Sequence, residues 1–508
     1  MRKARSQLLE QAVKNGVDTE NISVLDMPTG SGKTLCSMKL ALEKAVKHHK
    51  KRIIYVIPYT SIIEQTAEIF TDLFGDSLYP LQHHSNFDYE TKAQDDSGSD
   101  LTSEKLKRTC ENWDAPLVIT TSVQFFQSLY HYKGSRLRKL HNLADSVLIF
   151  DEIHLIPTEN IQPCLRGIGY ITKYLNSEAI LLSATMPDYS KQIEKYIPDI
   201  RVTEIIGDRT CFKDFENCTY EDLGGQSFES IVQMTEEFSS SLIVVNTRKS
   251  ARSVYKMLNG KKFHLSTYMT PEHRSRTIAE IKNCLKKRER ITVVSTSLIE
   301  AGVDLDFQAV FRELAGLDSI LQSGGRCNRE GYEACGRVFV FETDGKPSRE
   351  ISLRGNIAKG ALAEYDDIRS PQCIESYYNS LFNFSEDMIK RNSIARFEGK
   401  GGVNYKSVSF RKYAEQFKMI DEDTVPIVID NSEAVHSLVQ KLDFGEMSVK
   451  RRLQKYSVSV SRYEFEDILK TGILKQTQSG VYVLTNASYY SEETGLDWQD
   501  SHDEDYMS

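Results

Sequence analysis

The sequence predicts an α/β protein: two tandem parallel-sheet domains, then a helical connector, then a small C-terminal domain. Three observations lead there. Short apolar runs alternate with longer amphipathic stretches, first before residue 200 and again after about residue 225. Each run ends in polar or small residues, the pattern of buried strands whose carboxyl ends carry ligands. The chain of 508 residues is too long for one hydrophobic core and long enough for two to four domains.

The elements follow in order. Ser23-Val24-Leu25-Asp26-Met27 runs into glycines, and Ile53-Ile54-Tyr55-Val56-Ile57 stops at Pro58. Leu117-Val118-Ile119 ends at Thr120-Thr121, Val147-Leu148-Ile149-Phe150 at Asp151-Glu152, and Ala179-Ile180-Leu181-Leu182 at Ser183-Ala184-Thr185. In the second lobe, Leu242 to Val245 ends at Asn246-Thr247, Ile291 to Val294 at Ser295-Thr296, and Arg337 to Phe341 reads as a last strand. Residues 90–104 read as a surface loop. After Lys346 the strand pattern stops, tyrosines become frequent, and the tail beyond Gly495 reads as frayed. The expected boundaries are 1–215 and 216–345 for the two sheet domains, 346–405 for the connector and 406–508 for the C-terminal domain.

Composition excludes several classes. Hydrophobic residues make up 40% and charged residues 27%, an ordinary soluble balance. No apolar run approaches the roughly 20 residues of a membrane helix. Met1-Arg2-Lys3-Ala4-Arg5 lacks the apolar core of a secretion signal, so a cytoplasmic protein with no membrane contact is expected. The nine cysteines form no Cys-x-x-Cys pair, and the Cys211 and Cys218 spacing suits no common zinc motif. A net charge of −8 argues against a surface coated in nucleic acid but leaves room for a local basic groove.

Thr29-Gly30-Ser31-Gly32-Lys33-Thr34 lies between a strand pattern and a helical one, the context a phosphate loop requires. Its glycines let backbone N–H groups curl around phosphate oxygens. Lys33 would neutralise the β- and γ-phosphates, and Thr34 would ligate Mg²⁺. Met27 stands where the strict pattern has glycine. Asp151 would hold Mg²⁺ through water, and Glu152 would orient and deprotonate an attacking water. His154 would couple this site to the second lobe, and Ser183-Ala184-Thr185 fits a hinge between catalytic strand and substrate face. Gln7 is placed to pair with N6 and N7 of an adenine. In the second lobe Gly302 allows close backbone approach and Asp304 would accept a ribose hydroxyl. Gln322-Ser323-Gly324-Gly325-Arg326-Cys327-Asn328-Arg329 faces the nucleotide, with Arg326 and Arg329 as arginine fingers in cis.

In this order the motifs resemble those of superfamily-two helicases over roughly residues 1–345. The resemblance implies that both sheet domains are RecA-like and that the ligand is ATP. More narrowly, Gly325-Arg326-Cys327-Asn328-Arg329, Glu300-Ala301-Gly302-Val303-Asp304-Leu305-Asp306 and Leu453-Gln454-Lys455-Tyr456-Ser457-Val458-Ser459 resemble the CRISPR-associated helicase of type I interference systems. That family is usually a helicase-nuclease. The resemblance implies ATP-driven travel along single-stranded DNA, 3′ to 5′, after loading at an R-loop made by an RNA-guided surveillance complex. It maps nucleic-acid contacts onto Thr60 and Ser61, Thr120 and Thr121, Thr247 and Arg248, and Thr296, which would hold phosphates without reading bases.

One departure bears on the activity. The family commonly carries a His-Asp nuclease domain before the helicase. Here only about 25 residues precede the phosphate loop, and the one His-Asp pair, His502-Asp503, lies in the acidic tail. The expectation is a chain without nuclease activity, its nuclease being either a separate subunit or a missing N-terminal domain. An RNA helicase or DNA-repair translocase on the same fold, and a non-hydrolysing nucleotide-gated clamp, are the alternatives.

Overall fold

A computed structural model describes residues 1–75, 78, 80–83, 108–300, 303–332, 334–345, 347–385, 410–419, 424–446 and 449–498. The chain divides into two compact units that do not follow chain order: Met1–Glu216 with Gly360–Asp421, and Asn217–Lys359 with Glu422–Ser508. The loop expected at 90–104, most of the connector beyond residue 385, Gly302 and His502-Asp503 lie outside the described residues.

The first unit is built on seven strands: β1 (Ile22–Asp26), β2 (Arg52–Ile57), β3 (Leu81–His83), β4 (Leu117–Thr121), β5 (Ser146–Phe150), β6 (Glu178–Ser183) and β7 (Val202–Glu204). Their order is β3-β4-β2-β5-β6-β1-β7, and every pair is parallel. Every residue of β4, β5 and β6 is buried, which is why these strands read as continuous apolar runs. One face is covered by α1 (Arg2–Gly16), α2 (Lys33–Lys47) and α3 (Thr60–Phe74). They bring Leu8, Leu40, Ala41, Ile63 and Phe70 onto Leu25, Ile53, Ile119 and Ile180. Each fully buried large side chain contributes about 1.5–3 kcal/mol. The five anticipated strands are present. β3 and β7, three residues each, are too short to leave a period in the sequence.

The second unit carries a six-stranded sheet, again wholly parallel. Its strands are β8 (Cys218–Gly225), β9 (Ser240–Val244), β10 (Lys262–Leu265), β11 (Ile291–Ser295), β12 (Ala309–Glu313) and β13 (Gly336–Glu342), in the order β10-β11-β9-β12-β13-β8. β8 is an edge strand that precedes the apolar runs read from the sequence. β12 was unanticipated because a central strand holding Arg312 and Glu313 breaks the apolar signal. Both side chains are nevertheless buried.

Beyond these sheets the chain departs from the expected division. Helix Pro371–Phe384, expected in the connector, belongs to the first unit, where Phe382 meets Tyr189. Residues 410–419, expected at the start of the C-terminal domain, also pack there: Phe417 lies 4.7 Å from the Tyr130 ring and Asn160 donates to the Lys418 carbonyl. The C-terminal module starts instead at β14 (Thr424–Ile429). With β15 (Ser457–Ser461), β16 (Leu474–Gln476) and β17 (Tyr482–Leu484) it forms a mixed sheet in the order β15-β14-β17-β16. Of the tail expected to fray beyond Gly495, residues 499–508 lie outside the described residues, while β18 (Tyr490–Ser491) pairs with β19 (Gly495–Leu496), and Leu496 and Trp498 are buried in the module's core.

Candidate functional site

Parallel strands place their carboxyl ends on one edge, and the first unit's chemistry gathers there. β1 ends at Asp26, and the chain turns through Pro28 and Thr29 into α2. Gly30 and Gly32 have φ of +79° and +89°, a region that only glycine enters without strain. Ser31 is buried and its hydroxyl donates to the Pro28 carbonyl at 2.6 Å, so its side chain braces the turn. Lys33 is the first residue of α2, where unpaired backbone N–H groups favour an anion. Its Nζ lies 3.0 Å from Glu152 Oε1. The predicted phosphate cation and the predicted base are thus neighbours.

Asp151 and Glu152 follow β5 directly. Asp151 accepts from the Tyr55 hydroxyl at 3.1 Å and from the Glu152 amide at 3.0 Å. Burial, with the Glu152 charge added, raises the Asp151 carboxyl to about 6, against the pull of Lys33. The Tyr55 phenol, pushed well up by burial, is also within reach of the Thr34 and Ser37 hydroxyls. This fits a divalent cation. Two adjacent carboxylates, both half-buried, face one lysine, and Thr34 approaches the same phenol as Asp151. Thr34 and Asp151 would hold Mg²⁺, whose charge would offset that of the phosphates and carboxylates.

Glu152 has a left-handed backbone, φ +46°, a strained conformation for a non-glycine residue. It turns the chain into a short helical turn at Ile153–Leu155. His154, buried, lies with Nδ1 3.5 Å from Glu152 Oε2 and 2.7 Å from Ser183 Oγ. Ser183 Oγ in turn accepts from the Thr185 amide at 2.9 Å. A continuous polar chain therefore runs from Lys33 through Glu152 and His154 to Ser183 and Thr185. Among the described residues the buried Thr185 hydroxyl has no hydrogen-bond partner. Gln7 is exposed on α1. The α1 residue that reaches the phosphate loop is Arg5, whose Nε donates to the Gly30 carbonyl at 2.9 Å.

In the second unit the predicted nucleotide residues lie at the opposite, amino-terminal edge of the strands. Helix Leu317–Gly324 carries the chain there from the end of β12, and Cys327 bridges to Phe307 just before β12 begins. Arg326 is buried and donates from Nε to the Ile299 carbonyl at 3.2 Å and from Nη2 to the Glu300 carbonyl at 2.7 Å. Arg329 pairs with Asp304 at 3.0 Å, and its amide donates to Asp306. Gln322 is half-buried on the same helix. Arg288, Tyr332, Asp304 and Arg329 line a cleft of about 610 Å³ here. Behind it, Glu300 binds Arg312 at 3.0 Å and the hydroxyls of Ser319 and Ser323. This buried ion pair fixes the turn before Asp304 to the helix before Arg326.

Comparison with known proteins gives two adjoining likenesses. Residues 6–193 match the DEAD/DEAH box helicase model. Residues 237–332 match the model of the C-terminal part of the CRISPR-associated nuclease/helicase Cas3. The chain is similar to CRISPR-associated Cas3 helicases over both sheets. The CRISPR-associated nuclease/helicase Cas3 of Haloferax volcanii is 26% identical, over 72% of this chain and 54% of that protein. The CRISPR-associated helicase Cas3 of Thermoproteus tenax is 26% identical over 47% of this chain and 42% of that protein. The crystal structure of T. fusca Cas3 with AMPPNP shares the fold at a TM-score of 0.69 and 14% identity, covering 97% of this chain and 69% of that one. The chain spans about half the length of the curated Cas3 relatives it matches.

In this Cas3-like chain the expected nucleic-acid residues sit at the carboxyl-end edges of both sheets. Thr60 opens α3. Thr120 is fully buried and its hydroxyl donates to the His83 carbonyl at 2.9 Å. Thr121 caps helix Ser122–Leu129 by accepting from the Gln124 amide. Thr247 caps helix Arg248–Met257 in the same way, accepting from the Ser250 amide. Thr296, buried, follows β11. Arg248 is committed elsewhere: Nη2 lies 2.8 Å from both Glu464 oxygens, and the guanidinium stacks over Tyr268 at 4.3 Å. Ser61's backbone is helical. Sequence reasoning missed Arg5, Tyr55, Glu300 as a partner of Arg312, and Glu464. Tyr55 had a signal, the one polar tip in an apolar strand; the others had none.

Proposed function

We propose that this chain is an ATP-dependent single-stranded DNA translocase or helicase acting in CRISPR interference. It moves 3′ to 5′ and is recruited by an RNA-guided surveillance complex to R-loop DNA. Cutting is supplied by a separate His-Asp nuclease or by a nuclease domain beyond this chain. The observation that carries the reading is the polar chain Lys33–Glu152–His154–Ser183 at the end of the parallel strands. Lys33 draws the phosphates to the helix start. Glu152 holds a water and takes its proton as the oxygen attacks phosphorus. Loss or gain of that charge is felt at His154 and passed to Ser183 and the strand-end loop after it. Hydroxyls and helix starts along the same edges suit sequence-independent contact with phosphates.

The test is ATP turnover by the full chain with and without single-stranded DNA. Turnover should rise sharply with DNA and vanish in Lys33→Ala and Glu152→Gln. Equal turnover in these variants would sink the mechanism. Stronger stimulation by single-stranded RNA would favour the RNA-helicase alternative.

A further inference from the structure

The strand-end chemistry of the two sheets leaves the surface of the C-terminal module unused. Residues 449–456 carry four cations and no acid, in a chain whose net charge is −8. Their placement follows from packing. Helix Val449–Leu453 turns Val449 and Leu453, four residues apart, into a core with Val435, Leu438 and Leu442. The residues between them sweep the opposite arc of the helix, so Lys450, Arg451 and Arg452 are all exposed. Lys455 joins them, also exposed, from the short turn Gln454–Tyr456. Among the described residues Lys450, Arg452 and Lys455 make no ion pair. An aromatic ring stands in the turn that leads to this strip. Helix Glu433–Asp443 supplies Leu442 to the core and then stops: Gly445 takes φ +91°, and the Gly445 and Glu446 amides donate back to the Leu442 and Lys441 carbonyls. This closed turn holds Phe444 at the helix end, where it is 91% exposed.

We propose that Phe444 with Lys450, Arg451, Arg452 and Lys455 forms a single-stranded DNA contact on the C-terminal module, in addition to the strand-end residues. Charge density selects a polyanion. Four like charges within six residues repel one another, and a run of phosphates relieves that repulsion while releasing its own counterions. The ring selects a single strand over a duplex. Unstacked bases present faces that an exposed aromatic side chain covers, and in a duplex those faces are already stacked. None of these groups needs a base edge, so the contact suits every sequence, as a moving track requires. The inference rests on the reading of the chain as a DNA-stimulated motor for its choice of ligand.

Fluorescence anisotropy of the full chain with a labelled single-stranded DNA, a duplex and a single-stranded RNA tests it, beside the ATPase assay. The triple variant Lys450→Gln, Arg452→Gln, Lys455→Gln should bind the single-stranded DNA about tenfold more weakly at low salt, and the slope of log affinity against log salt should fall by about 2. Phe444→Ala should weaken the same binding roughly fivefold, with the slope and the duplex affinity unchanged. Both variants should keep the parent's urea midpoint and its turnover at saturating DNA, since every substituted side chain is exposed. An unchanged salt slope in the triple variant would overturn the contact and leave the strip to an acidic protein partner or to solvent. A Phe444→Ala loss that is equal for the duplex, or seen with RNA alone, would overturn the choice of single-stranded DNA. If both variants lose affinity as expected but the parent's turnover ignores DNA, the contact stands and the motor reading falls. If the parent's turnover rises with DNA while both variants bind as the parent does, the motor stands and the contact falls.

Discussion

The two sheets carry their charged groups in opposite states. In the first unit Asp151 and Glu152 are adjacent carboxylates facing a single lysine, and burial holds the Asp151 proton affinity high. In the second unit the cations are quenched. Arg326 spends its guanidinium on two carbonyls, Arg329 on Asp304 and Arg248 on Glu464. The first arrangement is under electrostatic pressure and gains from an incoming cation and phosphate. The second is satisfied as it stands, so any new partner must displace an existing one. Burial works against the carboxylates of the first edge, while the cations of the second are paired with carbonyls and carboxylates.

The largest effect expected separates chemistry from binding in the first unit. Glu152→Gln keeps the shape and the contact to Lys33 but removes the base. DNA-stimulated ATP turnover should fall about 10³-fold, while calorimetric ATP affinity stays within a few-fold. A variant that turns over normally would mean that the pressure at this edge serves only the fold.

The next contrast lies within the second unit. Arg329→Ala removes an exposed ion pair worth about 0–1 kcal/mol and, as a finger, should lower turnover by about 10³-fold. Arg326→Ala opens a buried gap and strands two carbonyls. It should cost about 2–3 kcal/mol in urea unfolding as well as turnover. If Arg326→Ala leaves stability unchanged, the quenched description of that residue is wrong.

Much of this was legible in sequence, and the reason is physical. A buried parallel strand needs a continuous apolar run, and a phosphate loop needs glycines and a lysine at a helix start, so both leave local marks. Asp151, Glu152 and Lys33 could be named because each sits at a fixed offset from such a mark. Arg312 with Glu300, Arg248 with Glu464, and Arg209 with Asp26 could not. Each pairs residues between 12 and 216 positions apart, and a charged residue in sequence gives no sign of its distant partner. The grouping of 360–421 with the first unit was hidden for the same reason.

A pH test sharpens the comparison at Asp26. Burial raises this carboxyl to about 6, against the opposing pull of Arg209. An ordinary aspartate ionises near pH 4. The folded chain therefore holds this proton more tightly than the unfolded chain. The contribution to stability is present below about pH 4, declines as pH rises towards 6, and stays lost above it. Asp26→Asn should be more stable than the parent by about 2–3 kcal/mol at pH 7.5 and no more stable at pH 4. Urea unfolding at both values measures it. A gap that does not change with pH would show that Asp26 bears no such pressure.

The smallest effects distinguish hydroxyls that hold the fold from those placed to hold a track. Thr120 is fully buried and bonded to the His83 carbonyl. Thr120→Val keeps the volume and strands one carbonyl, so it should cost about 1 kcal/mol and leave the DNA concentration for half-maximal ATPase stimulation unchanged. Thr247 caps a helix whose first turn still presents amide groups. Thr247→Ala should also cost about 1 kcal/mol, but here the half-stimulating DNA concentration should rise about two- to threefold, because a loosened helix start grips phosphate less well. Both costs can be read by urea unfolding and both concentrations by titrating single-stranded DNA into the ATPase assay. If both variants shift the DNA dependence alike, the strand ends of the two units contribute equally to the track. If neither does, grip lies in backbone amides alone, and the quenched edge of the second unit needs no side chain to act.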